Sequence, residues 1–142
     1  MTEAALSVQL YTLRDALAAD REETFARLAR LGVRRVEAYD IVAGGAPLAE
    51  SLARHGLSSP SVHAPLVAAG ESDTATLDEV FDAAQRLGAH TVFEPMVWAE
   101  HWRDEDAVRR TAERLNHAAA LAAFRGLRVG YHNHSQEFHH SI

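Results

Sequence analysis

The chain of 142 residues contains no cysteine, which excludes a disulfide framework and any thiolate metal site. A bound metal must therefore take its ligands from histidine and carboxylate. Also missing is a basic run long enough to track a phosphate backbone. The formal charge is -6 and the pI about 5.8, from acids and bases interspersed along the helical segments, so no nucleic-acid partner is expected. No window approaches the roughly 18 apolar residues of a membrane span, and Met1-Thr2-Glu3-Ala4-Ala5-Leu6 has neither a basic n-region nor an apolar h-region. The expectation is a cytoplasmic protein with no membrane partner. No low-complexity tract or linker breaks the chain, and 47% hydrophobic residues suffice for a real core, so residues 1–142 read as one domain.

What the sequence does contain is a repeated event. Each of four predicted helices stops at a glycine and runs into a short β-rich stretch that ends on an acid or a histidine. The stretches are Leu31-Gly32 to Val36-Glu37, His55-Gly56 to Val62-His63, Leu87-Gly88 to Phe93-Glu94, and Arg125-Gly126 to Tyr131-His132-Asn133-His134. In parallel α/β folds the carboxyl ends of the strands lie on one face, so Glu37, His63, Glu94, His132 and His134 are expected to share a site.

The elements follow from local pattern. Leu6 to Leu13 alternates apolar and polar residues, as a first strand does. Asp20 caps a helix over Arg21–Leu31, with Phe25, Leu28 and Leu31 on one stripe. A second strand over about Val33–Tyr39 leads through Gly44-Gly45 to a short helix, Pro47–His55, with proline in its first turn. The third strand, around Leu57–His63, contains Pro60, which removes a ladder donor. Ser72 or Asp73 opens a third helix that carries Leu77, Val80, Phe81, Ala84 and Leu87 at helical spacing. A fourth strand runs from about His90 to Glu94, Asp104 opens the longest helix, and a fifth strand covers Leu127 to about His132.

Strict alternation of strand and helix implies a parallel sheet with right-handed crossovers. Length favours a five-stranded open doubly wound sheet, since a full eightfold barrel needs about 250 residues. The strands favour a partial (β/α)8 barrel of about five strands and four helices. Gln9, Glu37, Ser61, His63, Thr91 and Glu94 place polar groups along them, whereas strands covered on both faces are continuous apolar runs.

Val8-Gln9-Leu10-Tyr11-Thr12-Leu13-Arg14-Asp15, the Leu31-Gly32 to Val36-Glu37 step, Val62-His63-Ala64-Pro65, and Gly130-Tyr131-His132-Asn133-His134-Ser135-Gln136-Glu137-Phe138 together resemble the xylose-isomerase-like TIM-barrel family. They are similar in particular to its sugar phosphate isomerase/epimerase branch. The resemblance covers essentially the whole chain and implies a (β/α)8 barrel whose mouth binds a divalent metal acting on a sugar or cyclic polyol. The family's metal set comes from strands five to eight, so the resemblance implies that this chain is the N-terminal half of a barrel, truncated after the fifth strand and inactive by itself. His132 stands where many relatives place a glutamate, which leaves His132, His134 and Glu137 as the metal candidates.

The chemistry implied is proton abstraction next to a carbonyl, giving an enediolate that is reprotonated as isomer or epimer, or is dehydrated. Mn2+ or Mg2+, or Zn2+ if imidazole dominates, suits mixed histidine and carboxylate ligands. Glu94 and Glu137 are the catalytic carboxylate candidates, His63 a hydrogen-bond partner for a substrate hydroxyl, and Tyr11 and Trp98 an apolar wall for the ring. Plainer readings stand beside these. Glu37 can pair with Arg14 or Arg35, His63 can bond a backbone carbonyl, Glu94 can be solvated, Trp98 and Trp102 can be lid packing, and His139 and His140 can be solvent groups. A further reading is a non-catalytic half-barrel that forms homo-oligomers through exposed strand edges; a DNA enzyme like the AP endonucleases, which share the His-Ala-Pro step, is disfavoured because Glu94 stands where the resemblance to that group implies a second histidine and because the chain is acidic.

Overall fold

A computed structural model describes residues 6–71 and 74–138. Five strands form one sheet: β1 (Ser7–Gln9), β2 (Arg35–Ala38), β3 (Ser58–His63), β4 (Thr91–Glu94) and β5 (Arg128–Tyr131). All pair in parallel and in sequential order, β1-β2-β3-β4-β5. That order decides between the two closures. A doubly wound sheet reverses direction at a switch point and so covers both faces. Right-handed crossovers that always step the same way put every helix on one side. The architecture is therefore part of a TIM-type barrel, and the open doubly wound alternative is ruled out.

The helices are α1 (Arg14–Ala19), α2 (Arg21–Arg30), α3 (Ile41–Arg54), α4 (Leu77–Arg86) and α5 (Glu105–Phe124), five where the sequence pattern predicts four. Beneath them lies the core. Phe25 of α2 and Phe81 of α4 are fully buried, as are Val36, Val62 and Val92, one from each central strand. Side chains alternate across a strand, so the opposite face carries Gln9, Glu37, Ser61, His63, Phe93 and Gly130, the side that becomes a barrel lumen.

Local chemistry explains where the elements depart from the sequence pattern. The first strand ends at Gln9, not Leu13, because the Gln9 side chain accepts a hydrogen bond from Tyr11 N at 2.5 Å and opens a 3-10 turn over Leu10–Leu13. A three-residue period sends Leu10 and Leu13 inward together, which mimics the alternation of a strand. α3 begins at Ile41, six residues before Pro47, and kinks at Gly45 (φ 49°, ψ -149°), a conformation for which glycine is suited. Pro47 then sits in the first turn beyond the kink, where no N–H is needed.

Pro60 does lie within a strand flanked on both sides. A register shift between Arg35 and Glu37 of β2 places it at a bulge, so its missing donor interrupts no ladder bond. The Ser59 hydroxyl fills the gap, accepting from Ala38 N at 3.1 Å.

The predicted α4 start at Ser72 or Asp73 falls outside the described residues, and so do His139 and His140. The helix itself begins at Leu77 under a capping box. The Thr76 hydroxyl accepts from Glu79 N, and the Glu79 carboxylate accepts from Thr76 N at 2.8 Å. Removing this cap by Thr76→Ala is expected to cost about 1 kcal/mol. In thermal unfolding that is a fall in Tm of about 3 °C.

On the outer surface Glu22 of α2 ties down the end of α3. Ser51 Oγ donates to it at 2.5 Å, Arg54 Nη2 at 2.8 Å, and His55 Nε2 lies at 2.9 Å. These hydrogen bonds, led by that from Ser51, hold the Glu22 carboxyl down at about 2. Among the described residues no helix is long and apolar enough to cross a membrane.

Candidate functional site

The lumenal tips of β1, β2 and β3 hold a chain of polar side chains. Gln9 and Glu37 are partners in the register, as are Glu37 and Ser61, and His63 closes β3 two residues beyond Ser61. Because Gln9 Oε1 accepts from Tyr11 N, the Gln9 amide must turn its Nε2–H toward His63 Nδ1, 2.8 Å away. His63 Nδ1 is then an acceptor, and Nε2 carries the proton, donated to Glu37 Oε1 at 3.0 Å. Ser61 Oγ donates to the other Glu37 oxygen at 2.5 Å. Glu37 thus pairs with His63 and Ser61, where the sequence offered Arg14 or Arg35.

His63 is 8% exposed, and its pKa falls below the ordinary histidine value. Burial is the first cause and the nearby His132 and His134 add to it, while Glu37 works the other way. A neutral imidazole agrees with the hydrogen bonds, since both ring nitrogens are occupied by partners that suit the neutral form.

β5 ends at Tyr131, and the His132 N–H continues its ladder by donating to Glu94 O at 3.0 Å. Tyr131 turns to the helix side, where its ring packs 5.8 Å from that of Trp102. His132 consequently faces the lumen. Its ring lies 5.2 Å from that of His63 and 4.9 Å from that of His134. The three histidines predicted to meet do share one place. They border a depression of about 560 Å³ at the carboxyl ends of the strands, together with Gln9 and Tyr11.

Glu94 does not join them. It falls on the same face of β4 as Val92 and is 2% exposed. Oε2 accepts from Leu66 N at 2.7 Å and Val67 N at 2.8 Å, and Oε1 from Met96 N at 3.4 Å. Burial pushes its pKa up, against the pull of these amides. The expected placement of Glu94 at the shared mouth is therefore corrected: its carboxylate lies on the helix side and holds the segment after β3.

Glu137 is half-buried below His134. It accepts from Tyr131 OH and, at 2.9 Å, from His134 N. Burial raises its pKa, but these hydrogen bonds carry it below the ordinary value. Burial and then Glu137 push the Tyr131 phenol well above its own.

Tyr11 stands at the rim, edge to face with Tyr39 at 5.3 Å. Trp98 is exposed on the segment after β4 and does not line the depression. Trp102, by contrast, packs on Tyr131 and donates to Val97 O at 3.0 Å. Among the described residues no three His, Asp or Glu side chains converge as one cation would require. His132 and His134 are the two free-standing imidazoles at the mouth, a partial donor set.

Two lumenal residues have roles that the sequence pattern does not assign. Gln9 acts through His63, 54 positions away. Phe93 brings its ring against Gly130 of β5, where any Cβ would meet it, and its ring is 6.1 Å from His63.

A family model described as xylose isomerase-like TIM barrel matches residues 24–142. No curated protein matches the chain. Among solved structures, the chain is similar to a sugar phosphate isomerase/epimerase from Parabacteroides distasonis ATCC 8503, at 21% identity and TM-score 0.74, covering 94% of this chain and 53% of that one. It is also similar to a probable 3-DHS dehydratase involved in petrobactin synthesis from Bacillus anthracis, at 10% identity and TM-score 0.66, covering 89% and 51%. A family 2 AP endonuclease from Brucella melitensis matches at 20% identity and TM-score 0.62, covering 78% and 48%. The chain spans about half the length of these structures.

Proposed function

The chain belongs to the xylose isomerase-like TIM barrel family, and on that premise we propose that it supplies one half of the mouth of a divalent-metal-dependent isomerase or epimerase for a small sugar or cyclic polyol. The observation that supports this reading best is the meeting of His63, His132 and His134 beside Glu37 at the carboxyl ends of parallel strands. His132 and His134 fit Mn2+ or Zn2+ as a pair of imidazole ligands better than they fit Mg2+, and the remaining donors come from outside the described residues. When bound, such a cation polarises the substrate carbonyl and its neighbouring hydroxyl.

The chain's own residues bind and orient. Glu37, held by His63 and Ser61, keeps its carboxyl group fixed in the lumen. His63 stays neutral and presents its ring edge beside His132, while Phe93 forms an apolar floor and Tyr11 an aromatic rim for the carbon skeleton. Glu137, whose carboxylate accepts from the His134 N–H and the Tyr131 hydroxyl beside the mouth, is the group to which we assign the proton-accepting role in this half. Glu94 we assign to holding the wall. Trp98 is left to close over the mouth only if its segment moves. Dehydration starts from the same proton abstraction, so a dehydratase belongs within this reading.

The test is exchange of solvent deuterium into the carbon next to the carbonyl of a ketose panel, followed by NMR with Mn2+ present. The chain alone is expected to give none. A chimera that adds the remaining βα units of a matched full-length barrel is expected to exchange deuterium, and to lose exchange on His132→Ala. Exchange that survives His132→Ala and Glu137→Gln together would sink the assignment.

A second reading rests on the sheet itself. Among the described residues β1 and β5 each pair on one side only, and on α5 Phe124 is 90% exposed. These favour self-association of the chain with a second copy. Light scattering that gives a monomer at all concentrations would remove it.

A further inference from the structure

Asp40 follows β2 and is, among the described residues, the non-glycine residue with positive φ (φ 51°, ψ 42°). This left-handed conformation is unfavourable for most L-residues, and a carboxylate at the start of a helix ordinarily turns the other way to cap it. Asp40 makes no side-chain cap bond to α3. Its carboxylate has no hydrogen-bond or ion partner among the described residues. The strained backbone leaves that carboxylate exposed at the edge of three adjoining depressions, one of them the mouth that also holds Tyr11, Tyr39 and His63.

Beside it the aromatic rim is fixed. Tyr39 stands edge to face against Tyr11, and the Arg14 guanidinium lies over the Tyr11 ring at 4.9 Å while its Nη1 donates to Tyr11 O at 3.2 Å. An aspartate carboxylate can accept from two neighbouring hydroxyls at once, and a tyrosine ring covers the C–H face of the carbon skeleton that carries them.

We propose that Asp40 and the Tyr11–Tyr39 pair form a subsite for a vicinal diol on the β1–β2 side of the mouth. The proposal rests on the sugar or polyol reading given above and names the part of such a ligand that this side grips.

The backbone geometry supplies a clean test. Glycine adopts positive φ without strain, so Asp40→Gly removes the carboxylate and leaves the turn intact or improved. The probes are myo-inositol, which carries vicinal diols, and cyclohexanol, which carries none, each titrated at millimolar concentration into the full chain by 1H–15N NMR. Inositol is expected to shift the amides of Tyr11, Tyr39 and Asp40, and cyclohexanol to leave them unmoved. Asp40→Gly is expected to keep or raise the Tm and to bind inositol about tenfold more weakly, as is Asp40→Asn. Unchanged inositol affinity in Asp40→Gly would overturn the subsite. So would shifts confined to His63 and His132, which leave the polyol mouth standing without it. No shift anywhere at the mouth would overturn both the subsite and the polyol reading.

Discussion

Replacing Glu94 by alanine is expected to cost about 3 kcal/mol, a fall of roughly 10 °C in Tm for a chain of this size. The Leu66 and Val67 amides both point at one Glu94 oxygen in a site closed to water. Without an acceptor each is left buried and unpaired, at about 1–3 kcal/mol apiece. Glu94→Gln separates this role from a role as a proton acceptor. Its amide oxygen can sit where both strong donors point, with its Nε2 toward Met96, whose bond is the long one. The glutamine variant is expected to keep most of the stability that alanine loses. Equal losses in chemical denaturation would show that charge, not hydrogen-bond acceptance, holds the segment.

The pH dependence of that comparison has a definite sign. Burial raises the folded-state pKa of Glu94 above its ordinary value of 4.5. The native state therefore binds more protons than the unfolded chain between the two values, and the Glu94 contribution is full below about 4.5 and declines as pH rises through the raised value. Glu22, Glu79, Asp104 and Glu137 are shifted the opposite way, so wild-type stability alone mixes both trends. The difference between wild type and Glu94→Gln isolates the first, and it is expected to move against the wild type with rising pH.

Gly130→Ala is expected to destabilise by about 2 kcal/mol, because a methyl group there enters the space of the Phe93 ring. The strand register puts Gly130 directly beside Phe93, and the ring has taken the room that the missing side chain leaves. Phe93→Leu shortens the obstacle. In the Phe93→Leu background Gly130→Ala is expected to cost at least about 1 kcal/mol less than in the wild type, as contacting residues couple. Additive losses in urea denaturation would mean that the ring does not rest on Gly130.

The helix stops and the parallel strands were legible in the sequence because each rests on local chemistry. Gly32 and Gly126 end α2 and α5 at φ of 84° and 71°, a conformation that glycine alone adopts freely. Apart from Glu94, the polar tips of the strands pointed to a polar lumenal face, since a sheet with helices on one side needs apolar residues on that side only. What escaped was short or distant. α1 has six residues with one large apolar side chain, Leu17, too few for a helical period to show. The turn over Leu10–Leu13 copied a strand, and the Gly45 kink hid the first turn of α3.

In the site, the two-residue period already contained the correction to Glu94. Val92 is a core residue, and Glu94 two positions on must share its face. The same rule placed His132 and His134 on one side of the chain, and they are neighbours, though β5 ends before them. Gln9 and Asp40 could not be read in this way. One depends on the orientation of an amide fixed by a turn, the other on a backbone angle.

The most direct measurement of the shared mouth is paramagnetic broadening of the histidine side-chain signals by Mn2+ added to the chain. The expected result is weak binding that broadens His132 and His134 first and His63 next, leaves His117 on α5 sharp, and disappears in the His132→Ala, His134→Ala double variant. Broadening centred on the Glu22 and His55 surface, or unchanged in that variant, would contradict a mouth built from the strand tips.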